Sequence, residues 1–322
     1  MAHTRSIVTG VAGFIGSHLA EHLVALGHEV VGIDCFTPYY DPAIKRGNVA
    51  ALLAAPRFWL VDADLATANL GPLLAGADYV FHQAAQAGVR ASWGESFATY
   101  TRHNVLATQR LLEALKDQPI RKLVYASSSS VYGDARLPMR ETARPQPVSP
   151  YGVTKLAAEH LCHLYHANYG LPTVALRYFT VYGPRQRPDM GIHKFIRAIA
   201  AGGTISVYGD GTQSRDFTYV EDIVRANLLA AQAPVEGAVI NIGGGSRITL
   251  SDLLELLQAL VGRRAHLAHL GGQKGDVGHT GADSSRARRL LGFVPSVDLA
   301  GGLRRQVAWH LSDAGDLLTA AG

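Results

Sequence analysis

The sequence predicts the α/β class: a doubly wound parallel sheet with helices on both faces, joined to a smaller C-terminal α/β unit. Three observations predict it. Short β-branched runs alternate with amphipathic segments through the first half, the pattern of parallel strands joined by crossover helices. A glycine loop, Gly10-x-x-Gly13-x-x-Gly16, stands between the first such run and the first helix. After Arg177 the alternation gives way to Gly/Pro-rich loops and short helices, as in a separate lid.

In chain order, Ser6-Ile7-Val8-Thr9 reads as a strand, Gly13 to Leu26 as a helix and Glu29 to Ile33 as a second strand. Phe58 to Val61, Tyr79 to Phe81, Lys122 to Tyr125 and Thr173 to Leu176 read as further strands. Tyr100 to Lys116 and Pro150 to Tyr169 are helices between them. The stretch Phe217 to Ala230, followed by Val239-Ile240-Asn241-Ile242, reads as a late return to the sheet. The expected division is therefore 1–178 for the first unit, with 217–243 returning to it, and 179–322 for the second. No internal repeat or low-complexity segment is seen, and the Ala/Gly-rich tail after Ser312 is expected to fray.

At 322 residues, 48% hydrophobic and 17% charged, the chain can bury a full core. A formal net charge of +4, with Arg and Lys scattered, lacks the dense basic stripe of a nucleic-acid surface and suits a small anionic ligand better. Two cysteines, Cys35 and Cys162, make no disulfide framework, and neither stands in a metal-ligand spacing, so no metal is expected. No apolar run approaches ~18 residues, which argues against a membrane-spanning helix. Met1-Ala2-His3-Thr4-Arg5 leads directly into a strand, so no signal peptide and a reduced, cytoplasmic setting are expected.

The glycine loop sits where a phosphate-binding turn belongs. Glycines let the backbone approach a pyrophosphate whose charge is met by the helix N-terminus. Asp34 ends the second strand at about the 20-residue distance at which an acid bonds the adenosine ribose. Its carboxylate would repel a 2′-phosphate, so NAD is favoured over NADP.

Farther along, Ser127-Ser128-Ser129-Ser130 precedes Tyr151-Gly152-Val153-Thr154-Lys155. A Tyr four residues before a Lys puts both on one helix face, where the ammonium is expected to lower the phenol's pKa so that phenolate can act as a base. A solvated surface pair and a polar strand end are the bland alternatives. The combination with a dinucleotide loop points instead to oxidation of an alcohol or sugar.

Thr9-Gly10-Val11-Ala12-Gly13-Phe14-Ile15-Gly16, Asp64-Leu65, His82-Gln83-Ala84-Ala85, the serine run, Tyr151-x-x-x-Lys155, Gly209-Asp210-Gly211 and Arg215-Asp216-Phe217 resemble the extended short-chain dehydrogenase/reductase superfamily. The resemblance covers nearly the whole chain. It implies a Rossmann-type cofactor domain with tightly held NAD, and a homodimer paired through the helices near Tyr100 to Lys116 and Tyr151 to Tyr169. By its pattern Gly10, Gly13, Phe14, Ile15 and Gly16 bind NAD with Asp34, and Asp64 and Leu65 flank the adenine. Ala84, Ala85 and Gln86 line the cofactor, Lys155 holds the nicotinamide ribose, and Tyr151 touches both cofactor and substrate. Cys35 follows Asp34 where many relatives have Asn.

Members share removal of a hydride from the sugar C4, with Tyr151 as base and Ser128 bonding the C4 oxygen. Dehydratases of the family then place Asp-Glu before Val-Tyr-Gly, and decarboxylases place Glu there. Here Ser129 and Ser130 lead into Val131-Tyr132-Gly133, and hydroxyls cannot do carboxylate acid/base work at neutral pH. C4 epimerisation remains.

Phe179-Thr180-Val181-Tyr182-Gly183-Pro184-Arg185-Gln186-Arg187-Pro188-Asp189-Met190, together with the segments around Tyr39-Tyr40 and Gln273 to Val277, resembles the UDP-glucuronate 4-epimerase branch. The expected substrate is thus a UDP-sugar held by Ser128, Ser129, Ser130, Tyr151, Thr180, Arg185, Tyr208, Arg215, Gln273 and Asp276. Neutral hydroxyls would hold the sugar carboxylate, Arg215 the diphosphate by the family pattern, and Arg185 a charged group. For the two arginines an interdomain salt bridge is the alternative, and for Tyr208 a core role. A UDP-glucose/UDP-galactose 4-epimerase and a non-catalytic NAD-binding sensor stay open as other functions.

Overall fold

A computed structural model describes residues 4–271, 273 and 275–312. The cofactor half runs β1 (Arg5–Thr9), α1 (Phe14–Ala25), β2 (Glu29–Asp34), α2 (Pro42–Leu53), β3 (Phe58–Asp62), α3 (Leu70–Leu74) and β4 (Tyr79–His82). It continues through α4 (Phe97–Tyr100), α5 (Ala107–Leu115), β5 (Lys122–Ser128), α6 (Pro150–Tyr169) and β6 (Thr173–Tyr178). Beyond lie β7 (Thr180–Tyr182), α7 (Gly191–Ala201), β8 (Thr204–Tyr208), β9 (Ser214–Tyr219), α8 (Val220–Gln232) and β10 (Ala238–Ile242). The chain then runs through β11 (Ser246–Thr249), α9 (Leu250–Val261), β12 (His266–Leu270), α10 (Ser285–Leu291) and α11 (Leu299–His310).

Seven parallel strands form the main sheet in the order β10-β6-β5-β4-β1-β2-β3. The chain winds from β1 outward to β3, then crosses back to β4 on the other side of β1. The crevice outside the carboxyl ends of β1 and β4 is the switch point at which such sheets bind ligands. Successive strand residues face opposite sides, and both sides are covered. Ile7, Val80 and Leu123 pack under α3, α5 and α6, while their neighbours Val8, Phe81 and Val124 pack under α1 and α8. This double burial explains why the strands read as unbroken apolar runs rather than alternating ones.

Two small sheets build the other unit. In one, β9 pairs parallel with β7 and antiparallel with β11; in the other, β8 pairs parallel with β12. Among the described residues no helix is long and apolar enough to cross a membrane.

Two sequence expectations shift. The helix expected over Tyr100 to Lys116 is α4 and α5 joined by a π-helical turn at Thr101–Leu106. Within that turn Asn104 is buried, and its amide bonds the Gln86 carbonyl and Thr154 hydroxyl, so side-chain bonding overrides the regular ladder. The return to the main sheet starts at Val220, because Phe217 lies in β9 opposite Thr180. The tail after Ser312 lies outside the described residues.

Candidate active site

At the end of β1 the chain turns through Gly10, whose φ of 69° is left-handed. A Cβ on Gly10 would lie 2.7 Å from Ala84 N and Cα, and one on Gly16 would lie 2.2 Å from the Gly10 carbonyl oxygen. The loop is thereby folded tightly between β4's exit and α1. Gly13 caps α1 without a side-chain bond, leaving the first-turn amides directed at the crevice. Asp34 at the tip of β2 accepts the Ala12 amide at 3.1 Å and the Phe36 amide at 2.8 Å. Lys45 stands 3.9 Å from the same carboxylate.

All thirteen residues expected to hold a cofactor line a single cavity: Gly10, Gly13, Phe14, Ile15, Gly16, Asp34, Asp64, Leu65, Ala84, Ala85, Gln86, Tyr151 and Lys155. They come from α1, β2, α6 and the loops after β1, β3 and β4. Donor atoms of Cys35, Asp64 and His103 come within 4.8 Å of one another in its wall. Asp64 is already engaged by Arg102 at 2.6 Å and the Ala66 amide at 2.8 Å, and burial pushes the Cys35 thiol up, so the trio fits a wall better than a metal centre.

The helix α6 starts sharply because Ser149 caps the Gly152 amide at 3.1 Å and Pro150 occupies the first turn. It ends at Gly170, in the left-handed conformation with φ 69°. Its first turn brings Tyr151 to Ser128 at the end of β5, with Tyr100 edge-on to the Tyr151 ring at 6.2 Å. Lys155 donates to the Ala126 carbonyl at 2.7 Å and lies 4.9 Å from the Tyr125 ring centre.

Burial raises the Tyr151 pKa, opposed by the Ser128 hydrogen bond and the Arg187 charge. Burial also lowers the Lys155 pKa to about 7. The Lys155 ammonium, expected to depress the phenol, is not among the charges acting on it in this structure. Lys155 is turned to a backbone carbonyl and has itself lost much of its charge preference, so the favourable charge on Tyr151 is that of Arg187.

Of the substrate candidates, Thr180, Tyr208, Arg215, Gln273 and Asp276 line a second cavity, built by the second unit with Arg90 of the first in its wall. Ser128, ending β5, and Ser129 and Ser130 in the turn after it lie half-buried beside the first cavity without lining either, Ser128 accepting the Ser130 amide at 3.1 Å. Arg215 donates to the Ser214 and Gly278 carbonyls at 2.9 and 3.0 Å. Burial lowers its pKa, while Asp276 acts in the opposite direction.

Arg185 joins neither cavity. Its guanidinium grips Glu21 at 2.6 and 2.8 Å and the Asn48 carbonyl at 3.1 Å, tying the loop to α1 and α2. The residue has φ 62°, and this left-handed kink turns its side chain away. As a substrate ligand it is corrected to the salt-bridge alternative.

Sequence reasoning passed over Arg187, which does line the first cavity, paired with Asp189 at 2.9 and 3.1 Å. Asp189 in turn accepts from the Tyr39 hydroxyl at 3.2 Å, so this group closes over the pocket from the second unit. Gln83, Tyr178 and His103 also line the first cavity, and Arg90 and Gln186 the second. Arg90 pairs with Asp276 at 2.6 Å and lies 4.2 Å from the Tyr208 ring centre.

Residues 6–243 match the NAD dependent epimerase/dehydratase family. An uncharacterised UDP-glucose epimerase of Bacillus subtilis is 44% identical over 305 residues, covering 94% of this chain and 96% of that protein. A UDP-glucuronate 4-epimerase of Thermodesulfobacterium geofontis is 40% identical over 308 residues, 94% and 95% of the two chains. Among solved structures, UDP-glucuronic acid 4-epimerase from Bacillus cereus in complex with UDP-glucuronic acid and NAD superposes with a TM-score of 0.93 at 43% identity, covering 95% of this chain and 98% of that one. The chain belongs to the NAD dependent epimerase/dehydratase family.

Proposed function

From that family membership we propose that the protein interconverts UDP-glucuronate and UDP-galacturonate by NAD-dependent epimerisation at C4. The observation that carries this reading is one cavity lined by the glycine loop, Asp34, Tyr151 and Lys155, flanked by serines at the turn where eliminating relatives place carboxylates. The residues fit NAD. The glycine loop leaves no room for a Cβ at Gly10 or Gly16, which lets backbone amides meet a pyrophosphate, and Asp34 ends β2 as the ribose partner.

When bound, NAD supplies the acceptor and donor of the C4 hydride. Tyr151 takes the C4 hydroxyl proton and later returns it, and Ser128 holds the same oxygen. Lys155, fixed by the Ala126 carbonyl, would hold the nicotinamide ribose, and Asp64 and Leu65 would flank the adenine. Arg187 offsets the desolvation that opposes the phenolate. Ser129, Ser130 and Thr180 offer neutral donors to the sugar carboxylate, holding it without promoting its loss. Arg215 takes the diphosphate beside Tyr208, Gln273 and Asp276.

The two units serve cofactor (residues 1–178 with 220–243) and nucleotide sugar (the remainder). Exposed Leu106, just before α5, and exposed Val153 and Leu164 on α6 support pairing of two copies through those helices. Two free cysteines accord with a reduced, cytoplasmic setting.

Incubation with UDP-, dTDP-, GDP- and CDP-sugars, products identified by NMR, tests the reading. UDP-galacturonate from UDP-glucuronate is expected, and no turnover of either uronate would end it. The Bacillus subtilis relative favours one second reading, a UDP-glucose/UDP-galactose 4-epimerase. Faster turnover of UDP-glucose than of UDP-glucuronate would select it.

A further inference from the structure

Tyr151, Lys155 and Glu159 recur every four residues along α6, so they share the face turned to the end of β5. That face meets three consecutive strand residues. Tyr151 faces Ser128, close enough for that hydroxyl to lower its pKa, Lys155 donates to the Ala126 carbonyl at 2.7 Å, and the Ser127 hydroxyl donates to Glu159 at 2.7 Å. The first two contacts involve reacting groups. Glu159, by contrast, lines neither cavity.

Glu159 is 4% exposed; Arg177, beside Ser127 in the β5–β6 register, is 3% exposed. The guanidinium reaches the carboxylate with two prongs, Nε to Oε2 at 2.9 Å and Nη2 to Oε1 at 2.5 Å. It also stands 4.6 Å from the Tyr132 ring centre. Desolvating two charges offsets most of what their attraction returns, so a well-packed apolar pair would hold α6 to the sheet about as firmly. What the fork adds is direction, because two parallel bonds tolerate little sliding. Gly152 constrains the near end of the same contact, where a Cβ would lie 2.5 Å from the Ser130 carbonyl oxygen. The helix is thus keyed to β5 at both ends of the reacting stripe.

We propose that Glu159 and Arg177 are a positioning pair that sets the register of α6 on β5, and with it the placement of Tyr151 and Lys155 against Ser128. This rests on the reading of Tyr151 as the proton-transferring group.

Glu159→Asp keeps the charge and shortens its reach by one methylene. A fall in kcat of about 10- to 100-fold is expected, the order of loss for a ~1 Å misplacement, with KM for UDP-glucuronate within about 3-fold. The acidic limb of the rate profile should also move to higher pH, because a weakened Ser128 bond no longer holds the phenol pKa down. The double variant Glu159→Leu/Arg177→Leu removes both charges together. It should melt within a few degrees of wild type and still turn over at least about 10-fold more slowly. Wild-type kcat in Glu159→Asp overturns the proposal. So does a double variant whose kcat recovers along with its melting temperature; if that variant does not fold, Glu159→Asp alone decides. Tyr151→Phe separates the two readings: turnover retained there refutes Tyr151 as the base, whereas an inactive Tyr151→Phe beside a full-speed Glu159→Asp refutes only the positioning pair.

Discussion

Replacing Gly152 by alanine sets helix propensity against active-site geometry, and the structure gives the size of each effect. The added Cβ would sit 2.5 Å from the Ser130 carbonyl oxygen and 2.9 Å from Pro147 Cβ. A carbon–oxygen approach normally stops near ~3.3 Å, so α6 and the turn after β5 must part by about 0.8 Å. The turn cannot simply rotate away, because the Ser130 amide is tied to the Ser128 hydroxyl. Alanine gains at most ~1 kcal/mol of helix propensity over glycine, while the overlap costs about 1–3 kcal/mol. Net destabilisation is then ~0–2 kcal/mol, a melting shift of only a few degrees. The same displacement separates Tyr151 from Ser128, for which a kcat loss of roughly 30- to 100-fold is expected, or ~2–3 kcal/mol of barrier. Steady-state turnover of UDP-glucuronate and thermal melting, measured on one preparation, give both quantities. A Gly152→Ala protein that melts higher than wild type and keeps kcat within about two-fold would refute the argument, since it would show slack between helix and turn.

Arg185→Ala should lower the melting temperature by releasing Glu21 and the loop, yet leave KM for the UDP-sugar within about two-fold. Arg215→Ala should raise KM at least about ten-fold through loss of a charged anchor, and equal KM effects would reject this distinction. His310 is buried beside His193, ring centres 4.5 Å apart, and burial, with the His193 and Arg197 charges, lowers its pKa from 6.5 to about 3. The unfolded chain therefore takes up that proton first, and stability present above pH 6.5 is lost as pH falls toward 3, by up to ~1.4 kcal/mol per pH unit for one group. His310→Phe should flatten melting temperature against pH below 6.5, and parallel curves would count against it. Asp34→Asn, which loses the charge and leaves only one acceptor oxygen for the Ala12 and Phe36 amides that now bond separate oxygens, should weaken NAD at least about ten-fold and narrow the preference over NADP. Fluorescence titration of both dinucleotides measures it, and an unchanged preference would remove the charge argument.

The cofactor site was legible because its signals are local. Gly10, Gly13 and Gly16 recur every third residue from the turn after β1 into α1, Asp34 ends the next strand, and Tyr151 and Lys155 share one helix face, so spacing alone carries their geometry. Arg185 and Arg187 mark where legibility stops. In extended chain, residues two apart point the same way, but the left-handed backbone at Arg185 sends one guanidinium to Glu21 and the other to the cavity. Nothing in Arg-Gln-Arg indicates that kink. Gln83 and Tyr178 escaped for another reason: they meet each other and Asn227 only through sheet packing, across 95 and 144 residues of chain. That Lys155 meets the Ala126 carbonyl was not legible, because helix periodicity gives the side a lysine faces but not the partner it finds there. The π-helical turn, likewise, follows from what Asn104 bonds rather than from its apolar period.

The order of strands also bears on how the chain is made. β6 ends at Tyr178, but its outer neighbour β10 is complete only at Ile242. A nascent chain at ~5–20 residues per second thus spends roughly 3–13 s with β6 as a bare edge, its outer amides unpaired and, until α8 is made, its Val174 and Leu176 without that helix over them. Any stall in translation between those points leaves an adhesive strand presented to its neighbours on the polysome. Strands β7, β8 and β9 of the small lid sheets are made in that same interval but their partners β11 and β12 only after it, so the second unit is still incomplete when the first gains its last strand.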